Sequence, residues 1–295
     1  MVIHKIYLFL FVLCGLVLGS CKDKQKELKE WNDIGESYCT NSVDAPNYSE
    51  AIKWFRKAAE GGYAEAQYNL GLCYGEGLGV TKNATEALKW NRKAADQGLS
   101  IAQYNVGVYY EHGLGGVKQD YEEAVKWYQK AAEQGDPDAL NNLGVCYANG
   151  QGVEKDLSKA AELYRKAADL GNYLSMFNLG FLLIKSNATP RYSEEGFQYI
   201  HIAARNGIPQ AQYVEGDIEY DHNNYREAAR WYLMALENPA GFDVKEVQFM
   251  LGECYRELYN YREAIEWYSK AAANGHIEAQ QKLNILKQRE AYGYY

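Results

Sequence analysis

Apolar residues recur at three- and four-residue spacing along most of the chain, with lysine, glutamate, asparagine and glutamine at the intervening positions. In Glu50-Ala51-Ile52-Lys53-Trp54-Phe55-Arg56-Lys57-Ala58-Ala59 this spacing predicts an amphipathic helix. Ala66-Gln67-Tyr68-Asn69-Leu70-Gly71-Leu72-Cys73-Tyr74 predicts a second kind of helix, with near copies over 102–110 and 139–147. The first kind returns over 86–95 and 123–132. The copies keep step: Gly35, Gly71, Gly107, Gly144, Gly180, Gly216 and Gly252 are separated by 36, 36, 37, 36, 36 and 36 residues. Ala58, Ala94, Ala131, Ala167, Ala203, Ala235 and Ala271 each follow their glycine by 19 to 24 residues. One small residue in each half of such a period predicts antiparallel helix pairs whose backbones approach closely at two points. The expected fold class is therefore all-α, and function is expected on a surface built by stacking.

Glycine inside a helix costs about 1 kcal/mol, so close packing at the glycine column must return it. The large residues Trp54, Trp90, Trp127, Trp231 and Trp267 are expected to fill the spaces between helix pairs. Gly62, Gly98, Gly135, Gly171, Gly207 and Gly275 fit left-handed caps at the ends of the second helices. Each pair alone exposes an apolar face, so the stack needs a capped end. The segment 277–284 looks like an eighth first helix with Asn284 at the glycine position, and is expected to be that cap.

The first-helix pattern, the Gly77-Leu78-Gly79-Val80 and Gly150-Gln151-Gly152-Val153 links, and the closing Lys-Ala-Ala-x-x-Gly resemble Sel1-like repeats, a branch of the tetratricopeptide-like helical repeats. The resemblance covers roughly residues 28–289 and implies a right-handed α-solenoid of about seven helix-pair repeats plus a C-terminal capping helix. Ala51, Ala87, Ala124 and Ala160 follow their glycine by 16 or 17 residues, whereas Ala228 and Ala264 follow by 12, which is similar to plain tetratricopeptide spacing. In the fifth copy, 184–190 replaces the glycine-rich link and Gly196 replaces the alanine, so a distorted join between its two helices is expected.

Residues 1–21 differ in kind. His4 and Lys5 precede an apolar run from Ile6 to Leu18, too short to be a comfortable membrane span and consistent with a secretory signal. Leu18-Gly19-Ser20-Cys21 resembles the bacterial lipobox, which implies lipid attachment at Cys21, a lipoprotein of the cell envelope, and localisation at the outer membrane on its periplasmic or surface side. The expected organisation is a signal over 1–21, a charged tether over 22–30, repeats over 31–276, the capping helix over 277–289 and a tail over 290–295.

A formal net charge of −8 without a basic stripe argues against a nucleic-acid binder. The five histidines are isolated, no His-Glu-x-x-His, Cys-x-x-Cys or Ser-x-x-Lys occurs, and the glycine-rich links lack a phosphate-loop ending. No metal, cofactor or catalytic residue is expected. Some Sel1-like secreted proteins staple each repeat with paired cysteines, a spacing this chain lacks. Cys73, Cys146 and Cys254 read as buried thiols, with Cys39 and Cys73 on adjacent first helices the one pair worth weighing as a disulfide. The resemblance leaves two functional readings: a protein-binding scaffold, and an envelope hydrolase of the β-lactamase-like, cysteine-rich type.

In tetratricopeptide-like stacks the first helices line the concave side, with residues three before and one after the repeat glycine pointing into it. That register implies a partner-binding face of Tyr68 and Leu72, Tyr104 and Val108, Asn141 and Val145, Phe177 and Phe181, and Tyr213 and Asp217. The absence of lysine and arginine at the first of these positions argues against a clamp for C-terminal carboxylates. The expected ligand is an apolar or aromatic peptide segment with basic flanks, anchored on Tyr68, Tyr104, Phe177 and Phe181.

Overall fold

The computed structural model describes residues 22–40, 45–186, 190–239 and 243–292, so the expected signal over 1–21, with Cys21, lies outside the described residues. Among these residues there are fifteen helices and no strand. First helices are α1 (22–40), α3 (Ala64–Glu76), α5 (Ser100–His112), α7 (Pro137–Asn149), α9 (Tyr173–Ser186), α11 (Pro209–Asp221), α13 (Val244–Glu257) and α15 (Ile277–Ala291). Second helices are α2 (Tyr48–Glu60), α4 (Ala84–Asp96), α6 (Tyr121–Glu133), α8 (Leu157–Asp169), α10 (Pro190–Arg205), α12 (Tyr225–Glu237) and α14 (Tyr261–Ala273). The helices form two compact units, Met1–Ala160 and Ala161–Tyr295.

Local chemistry sets the helix ends. Asn83 Oδ1 accepts from the amides of Thr85 and Glu86, and Asp120 Oδ1 from that of Glu123, which satisfies donors that have no partner inside a helix. The expected glycines do close the second helices, with φ between +83° and +102°. Residues 22–30 are not a tether. They form the opening turns of α1, and Leu28 is only 2% exposed, at the place where a Cβ on Gly61 would meet its side chain. A single leucine among charged residues, on the same helical face as Trp31 three residues on, is enough to dock that segment.

In the first unit, Ala51, Ala58, Ala87, Ala94, Ala124 and Ala131 have no solvent exposure, as the small-residue column predicts. The glycine column has a sharper purpose than close backbone approach. A Cβ on Gly107 would stand 2.5 Å from the Tyr128 ring, on Gly35 2.6 Å from Phe55, and on Gly71 2.6 Å from the Asn91 amide. Each glycine thus makes a recess for a side chain on the second helix. Gln67 and Gln103 are buried and donate to the carbonyls of Ala59 and Ala95 at 3.1 and 3.2 Å, satisfying the free end of the preceding second helix.

The second unit repeats these devices. Cβ atoms on Gly216 and Gly252 would stand 2.5 Å from the Tyr232 and Tyr268 rings, and Gln212 donates to the carbonyl of Ala204 at 3.2 Å. In the fifth pair the helices meet more closely than in the others. A Cβ on Gly180 would lie 2.7 Å from the Gly196 carbonyl, and one on Gly196 2.9 Å from the Gly180 carbonyl. Losing the alanine methyl lets α9 and α10 touch backbone to backbone. The link at 187–189 lies outside the described residues. Residues 222–224 join α11 to α12, the shorter link that tetratricopeptide spacing implies. Finally α15 lays Ala279, Leu283 and Leu286 on Ala264, Tyr268 and Ala271, which is the packing expected of a cap.

Candidate functional site

The expected site lies on the first helices, three before and one after each glycine. In the first unit α3 presents Leu72, 41% exposed, beside half-buried Tyr68, and α5 presents half-buried Tyr104 and Val108. Tyr104 also packs on Tyr128 of α6, with ring centroids 5.9 Å apart, so only part of its ring is available. On α7, Val145 is half-buried, but Asn141 is only 3% exposed and its amide donates to Asn142 Oδ1 at 3.1 Å. Asn141 is therefore an interior residue and not part of the presented face.

In the second unit Phe177 and Phe181 stack at 5.8 Å on α9, Phe181 is 39% exposed, and Lys185 Nζ lies 4.4 Å from its ring centroid. Tyr213 packs on Tyr232 at 5.8 Å, and Phe249 on Tyr268 at 5.9 Å. At Tyr104, Tyr213 and Phe249 the −3 ring therefore braces a second-helix tyrosine on one side and is part-exposed on the other.

The acidic positions are already occupied from within. Asp217 Oδ1 accepts from the Tyr232 hydroxyl at 2.6 Å, so the structure does not offer that carboxylate freely to a partner. Burial raises the pKa of Asp217, and nearby Asp221 adds to this against the lowering effect of the Tyr232 bond. Glu253, 6% exposed, accepts from the Tyr268 hydroxyl, from Lys282 at 2.7 Å and from Arg256 at 2.9 Å. Burial alone would raise its pKa, but these donors outweigh it and the pKa is lowered. Tyr128 in turn donates to Glu111 and accepts from Asn142 at 3.3 Å. These tyrosine–carboxylate pairs were not legible as pairs, because the partners lie 15 to 17 residues apart on different helices.

Cys39, Cys73, Cys146 and Cys254 are free thiols. Burial pushes the Cys73 pKa up to about 11, with neighbouring Cys39 contributing, so the pair rests as neutral thiols in an apolar cluster. Among the described residues no group of three or more His, Cys, Asp or Glu could hold a metal ion, and no helix is long and apolar enough to cross a membrane.

The Sel1 repeat profile matches residues 41–63, 64–99, 100–136, 137–172 and 174–208, more than half of the chain. The chain belongs to the Sel1-repeat family. A tetratricopeptide repeat profile matches 213–276, where the second-helix spacing shortens. This Sel1-repeat chain is similar to the crystal structure of a Sel1 repeat protein from Oxalobacter formigenes, at 29% identity and a TM-score of 0.68, covering 88% of this chain and 76% of that one. It is also similar to a protective antigen of uropathogenic Escherichia coli with an SLR fold, at 30% identity and a TM-score of 0.50, covering 88% and 64%. The curated DAP3-binding cell death enhancer 1 of Rattus norvegicus matches at 41% identity over 44 residues, 15% of this chain and 9% of that protein. Sel1 and tetratricopeptide repeat families generally mediate protein–protein interaction and are typically non-catalytic, and the repeat stack described here fits that role.

Proposed function

We propose that the Sel1-repeat chain is a scaffold of the bacterial cell envelope, held by a lipid on Cys21, which binds a protein or peptide partner on its first-helix face. The observation that carries the binding face is the exposure of Leu72 and Phe181 at equivalent register, each beside a half-buried ring at the −3 position. Exposed apolar side chains braced from behind lose little side-chain entropy on binding, which suits them to anchor an apolar segment. The active set is Tyr68, Leu72, Tyr104, Val108 and Val145 in one unit and Phe177, Phe181 and Tyr213 in the other. The Leu18-Gly19-Ser20-Cys21 lipobox supports the anchor.

A photo-reactive phenylalanine analogue at 72 or at 181 should cross-link one and the same partner in intact cells, and the analogue at exposed Leu170 should not. Labelling equal at all three positions would overturn the assignment of the face. The hydrolase alternative requires nitrocefin turnover by the purified chain, and the scaffold reading expects none.

A further inference from the structure

Three departures from the repeat meet between α10 and α11. Before the Ala-Ala pair of the second helix stand Lys57, Lys93, Lys130, Lys166 and Lys270, and four of these cover a tryptophan ring at 3.7 or 3.8 Å. In α10 the same position is Ile202, 41% exposed. Before the first-helix glycine stand the buried aliphatics Leu70, Val106, Leu143, Leu179 and Leu251. In α11 that position is Glu215, 7% exposed. Arg56 and Arg92 donate to the hydroxyls of Tyr74 and Tyr110 at 2.8 and 2.9 Å, whereas the equivalent His201 sets Nδ1 2.7 Å from Glu215 Oε1.

These exchanged residues line a groove of about 790 Å³, with Phe197, Ile202 and Ile218 as its apolar lining, completed by Glu194, Gln198 and the His201–Glu215 pair. Phe197 is 43% exposed. The helix beside it is strongly one-signed: α11 carries Glu215, Asp217, Glu219 and Asp221 and no lysine or arginine. Among the described residues no lysine or arginine pairs with any of the four. Their partners include His201, the Tyr232 and Tyr213 hydroxyls and the Asn224 amide. By contrast Glu253 on α13 is held by Arg256 and Lys282. An exposed apolar trough beside an acidic helix that no lysine or arginine neutralises, even with Asp217 itself held by Tyr232, complements a ligand that is apolar and basic at once.

We propose that this groove is a second docking site, which takes a segment of a partner protein that lays a leucine- or phenylalanine-type side chain on Phe197 and Ile202 and sets a lysine or arginine against α11. The apolar contact supplies affinity, and the cation relieves the burial of Glu215 and the mutual repulsion of the α11 carboxylates. The groove is lined from α10 and from Glu215 and Ile218 of α11, none of which is a −3 or +1 position of a first helix.

The test uses the purified chain and two fluorescein-labelled peptides, one combining leucines with lysines and one in which glutamate replaces every lysine. The basic peptide should bind saturably and the acidic one should not. Ile202→Lys places at an exposed position the lysine that five other second helices carry there, and should weaken the basic peptide at least about tenfold. Phe197→Ala should weaken it in the same direction. Ile285→Lys adds the same charge on α15, at a side chain 53% exposed, and should leave affinity within about twofold. Replacing Leu72 and Phe181 should also leave it unchanged, which separates this site from the first-helix face. Equal affinity for Ile202→Lys and the native chain, equal binding of the acidic peptide, or no saturable binding of the basic peptide would overturn the proposal.

Discussion

Gly107→Ala is the substitution in which the packing account commits itself to a sign. On an exposed helix, glycine to alanine stabilises by about 1 kcal/mol. At Gly107 the new methyl would stand 2.5, 2.6 and 3.2 Å from three atoms of the Tyr128 ring. That ring has no solvent exposure, its hydroxyl is tied to Glu111 and Asn142, and Tyr104 packs on it. It has nowhere to move without breaking one of these part-buried hydrogen bonds. Overpacking of this kind costs about 1–3 kcal/mol; a ring this tightly held puts Gly107→Ala in the upper half of that range, so the net effect is a loss of up to about 2 kcal/mol after the propensity gain. Gly75→Ala in α3 is the control, because its Cβ would meet only ordinary contacts at 3.6 and 3.7 Å. It should stabilise by up to about 1 kcal/mol. Urea midpoints followed by far-UV circular dichroism measure both. The reasoning fails if Gly107→Ala matches or exceeds the native midpoint, or if the two variants shift the same way.

Glu253 and Asp217 occupy equivalent +1 positions yet should respond oppositely to acid. The lowered pKa of Glu253 gives stability that is complete above the ordinary value of 4.5 and is lost as the pH falls, so Glu253→Gln should cost about 3 kcal/mol at pH 7 and flatten the acid limb. The raised pKa of Asp217 means that the folded state binds its proton first, so this group adds stability as the pH falls towards 3.8; Asp217→Asn should be neutral or stabilising at pH 7, read from midpoints between pH 3 and pH 8. Removal of 277–288 uncovers Tyr268 and takes Lys282 from Glu253, so light scattering should detect aggregation; an unchanged monomer with an unchanged melt would contradict the cap. Cys21→Ala should move the protein from the membrane to the soluble fraction, and a variant that still sediments with membranes would remove the anchor from the account.

The periodicity reported the helix pairs, the alanine column and the glycine caps because each depends on short-range spacing that one chain displays openly. It reported poorly what a residue meets across the pair. Glycine at position 107 announces a close approach, but only the fold shows that the approaching group is the Tyr128 ring, and that at Gly180 it is the backbone of Gly196 instead. Asn141 and Asp217 shared the register of a presented face and proved to be spoken for, one by burial and one by Tyr232. The capping glutamines were visible as a recurrent Ala-Gln pair four before the glycine, without any sign that the partner was the preceding helix end. Residues 22–30 read as solvated because seven of their nine side chains are charged, yet Leu28 alone docks the segment.

The first-helix face is tested most directly by the affinity of the cross-linked partner for a double variant, Leu72→Ser with Phe181→Ser. Both side chains are exposed, so the fold should survive, whereas truncating Tyr104 would also strip support from Tyr128. Loss of two anchors predicts an affinity reduced about thirtyfold or more, a change of about 2 kcal/mol, at an unchanged urea midpoint. An unchanged dissociation constant in a folded double variant would contradict the account.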